Sequence, residues 1–149
     1  MKLNLCSMVS ALCLIGHGAF PETVGDAVAG EKAFRKCAMC HTIGDGAVHR
    51  TGPELNKLFG RTAGTDNGFK YSEAMIAAGK DGLVWTPEKL DEFITNARKM
   101  VPGTKMTLAS VRNEQERANI VAYIAQFSDQ PKGGDSPAPA AGDAAAPVN

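Results

Sequence analysis

Apolar positions recur at helical intervals in four stretches of the chain, and none alternates over strand length. Gly30, Ala33, Phe34 and Cys37 fall three and four residues apart behind Asp26, a good N-cap. They predict a first helix running into Cys37 with one narrow buried face. Ser72 opens a short helix that ends at Gly79, which suits a left-handed C-terminal position. Thr86 and Pro87 form a helix start, hydroxyl at the N-cap and proline at the first helical position, and Leu90, Phe93, Ile94 and Ala97 continue as one stripe. Asn113 caps a last helix in which Ile120, Ile124 and Phe127 make an i, i+4, i+7 stripe, widened by Val121 and Tyr123. Gly-rich loops fill residues 43–67, and loops of that length in a small domain usually wrap or bind something. The expectation is an all-α fold of about four or five helices with long loops, whose core is thin on its own.

The two ends read differently from this middle. Lys2 is followed by an apolar run to Phe20, relieved by Asn4, Ser7, Ser10 and His17, as in a secretory signal peptide; a retained anchor is the competing reading. Small residues allow cleavage after Gly18, Gly25 or Ala27, and cleavage at any of these removes Cys6 and Cys13. Residues 131–149 are dominated by Ala, Pro and Gly and cannot bury enough apolar surface to offset their ordering entropy, so a disordered tail is expected. The division is therefore 1–25 signal peptide, 26–130 folded domain and 131–149 tail. A chain of 149 residues excludes a large multidomain enzyme. Sixteen Lys+Arg balance sixteen Asp+Glu, which gives no general reason to expect a nucleic-acid partner.

The chemistry lies at the end of the first helix, where Cys37, Ala38, Met39, Cys40 and His41 spell C-x-x-C-H. Two thiols at this spacing lie on one side of a turn and can add to the two vinyl groups of a haem, while the adjacent imidazole reaches the iron. A redox dithiol would want a βαβ setting, and a zinc site would need Cys37, Cys40, His41 and His49 to converge. A haem also answers the thin core, because Phe34, Phe59, Trp85, Leu90, Phe93 and Ile94 can pack on its apolar face. For the sixth iron ligand, Met75, Met100 and Met106 remain once the N-terminal methionines and Met39 are set aside. Met106 follows Pro102, Gly103, Thr104 and Lys105, a turn-forming run able to present a side chain inward. Spacing alone leaves all three open.

These residues resemble the class I c-type cytochromes, closest to the soluble cytochrome c2 type of bacteria and its mitochondrial relatives. The likeness covers nearly all of residues 26–130. It rests on Gly30 with Phe34, the Cys37 to His41 motif, Thr51-Gly52-Pro53, Gly60-Arg61, Phe69 to Tyr71, Trp85, Pro102 to Met106 and Ala122-Tyr123-Ile124. The resemblance implies one haem c held through Cys37 and Cys40, with His41 and Met106 as axial ligands cycling iron between Fe(II) and Fe(III). It implies that the Pro53 carbonyl holds the His41 ring, that Arg61, Tyr71 and Trp85 hydrogen-bond or neutralise a haem propionate, and that Thr104 lies in the distal loop. Gly30 and Phe34 would cross the last helix at Ile120 and Tyr123. Phe93 stands where relatives commonly carry a tyrosine, and Met75 where a polar residue commonly joins a buried water network. Leu108 replaces a frequent aromatic, and residues 77–83 look longer than in mitochondrial proteins.

The implied activity is reversible one-electron transfer in the periplasm, with no catalysis on a substrate. The alternatives are a haem enzyme or a gas or peroxide sensor in which the Met ligand dissociates, and a membrane-tethered carrier. Lys36, Arg50, Arg98, Lys99, Lys105 and Arg112 match a basic docking ring, and the stretch 26–128, with fourteen basic and twelve acidic residues, is slightly basic. The implied partners are membrane redox complexes: a cytochrome bc1 complex, a terminal oxidase, a reductase or a photosynthetic reaction centre. A monomer is expected.

Overall fold

The computed structural model describes residues 24–107 and 110–128. The expected signal peptide up to residue 23, Leu108 and the Ala/Pro tail lie outside these residues. Five helices follow one another: α1 (Ala27–Phe34), α2 (Glu73–Lys80), α3 (Pro87–Thr95), α4 (Ala97–Met100) and α5 (Glu114–Ala125). Among the described residues the only strand-like pairing is one antiparallel bridge between Thr62 and Val84. The all-α expectation is met.

Local side-chain chemistry starts each helix. Asp26 accepts from the amides of Val28 (2.8 Å) and Ala29 (3.2 Å), satisfying two donors that the first turn leaves unpaired. Ser72 caps α2 through the Met75 amide, Thr86 caps α3 through Lys89, and Asn113 caps α5 through Glu116. The helix ends depart more from the sequence pattern. α1 stops at Phe34, and Cys37 lies in the turns that follow it. Phe127 falls past the end of α5, where its ring meets Tyr123 at 5.3 Å. Ala97 is buried as its stripe requires, yet it belongs to α4: Asn96 takes an extended backbone (φ −159°, ψ 88°), breaks α3, and caps the next turn through the Lys99 amide. Gly79 is not left-handed. α2 runs one residue further, to Lys80, and closes in a Schellman motif, with Gly82 at φ +96°, Leu83 N–H donating to Ala78 O (2.9 Å) and Gly82 N–H to Gly79 O (3.1 Å). Gly79 is required for space, since a Cβ there would sit 1.9 Å from the Ala63 carbonyl oxygen.

The frame is the crossing of α1 and α5, with α3 also packed on α5. Gly30 lets the two backbones meet: a Cβ on it would lie 2.0 Å from the Asn119 carbonyl oxygen and 2.8 Å from Tyr123 Cβ. Beside this contact Phe34 stacks on Tyr123 at 5.3 Å, and Ile120 and Ile124 are almost wholly buried. The crossing predicted from Gly30, Phe34, Ile120 and Tyr123 is present. The loops of residues 43–67 hold to this frame by backbone bonds: Lys57 N–H donates to Phe127 O (2.7 Å) and Leu55 N–H to Thr42 O (2.9 Å). Asn56 also exchanges two hydrogen bonds with Gly44. They are ordered by partners along their length, as buried backbone polar groups require.

Candidate haem site

One continuous core gathers the chemistry. Cys37, Met75, Trp85, Leu90, Phe93 and Ile94 are buried in it, and Tyr71, Met100, Met106 and Ala38 pack against it half-buried. Phe34 and Phe59, also expected at this centre, are buried there too, and Trp85 meets Phe93 edge-on at 5.1 Å.

His41 is held from behind. Its Nδ1–H donates to the Pro53 carbonyl at 2.7 Å, which fixes the tautomer and leaves the Nε2 lone pair for a metal. Burial lowers the imidazole pKa, with the Pro53 bond opposing, so the ring is neutral as a ligand must be. Gly52 makes this placement possible: a Cβ there would come within 2.4 Å of His41 Cε1. The Thr51-Gly52-Pro53 run therefore works as a seat, with glycine giving room to the ring and proline supplying its acceptor.

Cys37 and Cys40 are both unpaired thiols, the first buried and the second exposed. Burial pushes the Cys37 thiol up to about 11, the reverse of the depressed value that makes a redox dithiol reactive. The zinc arrangement also fails. His49 has both ring nitrogens occupied, Nε2–H donating to Asn67 O (2.8 Å) and Nδ1 accepting from Glu54 N–H (3.1 Å). Among the described residues no three His, Cys, Asp or Glu side chains converge on a metal position. Two thiols one turn apart, a neutral imidazole with Nε2 open and a surrounding apolar wall fit a covalently attached haem.

Ahead of Met106, Val101 to Thr104 form a type II turn. Pro102 and Gly103 (φ +89°) take its central positions, and Thr104 N–H donates to Val101 O at 3.0 Å. Thr104 Oγ1 then accepts from the Met106 amide (3.3 Å), tying the methionine to the turn. Met75 is fixed within α2 and Met100 ends α4, so of the three candidates Met106 alone sits on an irregular loop.

A family comparison decides the reading: the Cytochrome c family model matches residues 27–128. The chain belongs to the cytochrome c family. Cytochrome c2 of Agrobacterium tumefaciens is 48% identical over 100 residues, covering 67% of this chain and 90% of that protein. Cytochrome c2 of Blastochloris viridis is 41% identical over 121 residues, covering 81% and 93%. The structure of cytochrome c2 from Rhodospirillum centenum superposes with a TM-score of 0.67 at 39% identity, covering 70% of this chain and all of that one. The cytochrome therefore carries haem c and iron, and it is an electron-transfer protein, not an enzyme.

The remaining expected residues of this cytochrome lie around the same core. The Trp85 amide donates to Arg61 O (3.0 Å), and the Gly60 amide to Trp85 O (2.8 Å). Tyr71 packs on Phe69 at 4.8 Å, and burial raises its hydroxyl pKa against the pull of Arg61, so it stays a neutral donor. Arg61 has partners the sequence did not disclose: its Nη1 lies 2.7 Å from Asp66 Oδ2 and 3.7 Å from Glu54 Oε1. The six cations of the expected ring are all exposed. Lys36 is paired with Glu116 of α5, which the sequence pattern had also not revealed.

Proposed function

We propose that this cytochrome is a diffusible periplasmic carrier of single electrons, with haem attached through Cys37 and Cys40 and iron held between His41 and Met106. The observation that carries this reading is the His41–Pro53 bond, which fixes the imidazole tautomer and leaves Nε2 unprotonated for a metal. The bound haem supplies reversible one-electron exchange between Fe(II) and Fe(III). The protein contributes position, polarity and access. Pro53 orients His41 and raises its basicity; the Met106 thioether, on the loop that Thr104 ties to the preceding turn, would be the second ligand. With both axial positions taken by side chains, no place is left for a substrate, and a soft sulfur in a low-dielectric pocket favours the reduced state. Tyr71, Trp85 and Arg61 serve the propionate end, where a hydroxyl, an indole N–H and a guanidinium can donate.

The N-terminal run up to residue 25 directs export and is removed, residues 26–130 form the working domain, and 131–149 trail from it. Among the described residues no helix is long and apolar enough to cross a membrane. Arg50, Arg98, Lys99, Lys105 and Arg112 are exposed, as is Lys36, partly neutralised by Glu116, and as a docking ring they would meet acidic surfaces. Such faces would belong to membrane complexes such as a bc1 complex, an oxidase, a reductase or a reaction centre, met by a monomer of this chain. The test is stopped-flow oxidation of the reduced periplasmic protein by an oxidase-containing membrane preparation, and reduction of the oxidised protein by a bc1-containing preparation supplied with quinol. Rates should fall steeply with salt and fall several-fold for Lys105→Gln. Rates indifferent to both, or a chain recovered with its N-terminus intact in the membrane fraction, would overturn the proposal.

A further inference from the structure

Arg61 does not stand alone at the crevice. Its guanidinium meets Asp66 at 2.7 Å and Glu54 at 3.7 Å, and Nη2–H reaches the Glu54 carbonyl at 3.4 Å. The side chains of Arg61, Asp66 and Glu54 are only 16%, 16% and 19% exposed, so their charges are weakly screened. Two carboxylates against one guanidinium leave one formal negative charge.

The cluster is wired into both walls of the haem site. Glu54 directly follows Pro53, the acceptor for His41. Arg61 O accepts from the Trp85 amide, and an Asp66 backbone hydrogen bond reaches the Tyr71 hydroxyl. Asp66 is five residues from Arg61 along a loop, and the pair closes that loop with an ion pair inside the fold.

We propose that Asp66 and Glu54 are positioning residues for Arg61: they fix its guanidinium near Tyr71 and outweigh its charge, so that a net negative trio, not a lone cation, acts on the iron. The inference rests on the haem placement proposed above. A lone arginine would favour Fe(II); the compensated trio withdraws that preference and holds the reduction potential down. Removing one carboxylate takes the trio from one negative charge to neutral and raises the potential, an effect of up to about tenfold in the electron-exchange equilibrium, or about 59 mV for one electron.

The experiment is spectroelectrochemical titration of the holoprotein as wild type, Asp66→Asn, Asp66→Glu and Glu54→Gln, with Asp66→Asn repeated in an Arg61→Gln background. The absorption spectrum of each variant is recorded first. Unchanged spectra with a higher potential for Asp66→Asn, a smaller rise for Glu54→Gln, a value near wild type for Asp66→Glu and a diminished effect without Arg61 are expected. Unchanged spectra with unmoved potentials, or an equal Asp66→Asn shift in both backgrounds, overturn the role of the carboxylates. A wild-type spectrum lacking His/Met ligation overturns the haem placement as well, so the two failures are told apart. Should Asp66→Asn not fold, Glu54→Gln alone decides by whether the potential rises.

Discussion

Replacing Gly30 with alanine sets two effects of known size against each other. Alanine in place of glycine within a helix gains about 0.5–1 kcal/mol from reduced backbone freedom. At this position, however, the added Cβ would lie 2.0 Å from the Asn119 carbonyl oxygen and 2.7 Å from its carbon. Both are backbone atoms of α5, so no side-chain rotation relieves the contact. α1 and α5 must separate by about 1.4 Å to reach ordinary van der Waals distance, judged from the 2.0 Å approach. Overpacking of this kind costs about 1–3 kcal/mol. The shift also loosens the Phe34–Tyr123 pair now at 5.3 Å, worth about 0.5–1.5 kcal/mol beyond its buried area. The net expectation is a loss of about 2 kcal/mol, nearly thirtyfold in the folding equilibrium. Guanidinium unfolding of the holoprotein, followed by far-UV circular dichroism, measures it as a lower midpoint at unchanged slope. A midpoint equal to or above that of the wild type would refute the claim that backbone contact, not helix propensity, governs this crossing.

Two further substitutions probe local chemistry. Thr86→Ala removes the α3 cap and should cost about 1 kcal/mol in thermal or denaturant unfolding. The Thr86 hydroxyl also bonds Glu88, holding that carboxyl below its ordinary value; the variant should return it upward in an NMR titration. A carboxyl depressed on folding stabilises above its unfolded pKa and loses this as pH falls through the folded one, so this part of the Thr86→Ala deficit should shrink in acid. His49→Ala breaks the bonds to Asn67 O and Glu54 N–H and should cost about 1–3 kcal/mol, read as faster hydrogen exchange at the Glu54 amide while the helical amides keep their protection.

Helix starts were legible in the sequence because a cap is a local event: Asp26, Ser72, Thr86 and Asn113 each bond an amide two or three residues on. Helix ends were less so. Gly79 carries the residue type of a left-handed stop, but its reason is the Ala63 carbonyl against it, a tertiary contact that no window of sequence contains. The break at Asn96 is hidden in the sequence because Ala97 continues the apolar stripe, and burial alone does not tell one helix from two. At the site, Cys37, Cys40 and His41 were readable from chemistry at fixed spacing, whereas Pro53 followed only from the family resemblance. The carboxylates around Arg61 and the Glu116 partner of Lys36 were not, since all three ion pairs depend on how the chain is folded. Asp66 five residues after Arg61 in a Gly-containing loop was the one available hint.

The central claim is that His41 and Met106 close both faces of the haem iron. The most direct test is the absorption spectrum of the exported holoprotein, ferric and ferrous, with and without carbon monoxide, alongside Met106→Ala, Met100→Ala and Met75→Ala. A low-spin spectrum with a weak far-red sulfur-to-iron band, indifference to carbon monoxide, and loss of both properties in Met106→Ala alone is the predicted result. A high-spin wild type, ready carbon monoxide binding, or loss of the band in a different methionine variant would contradict the account.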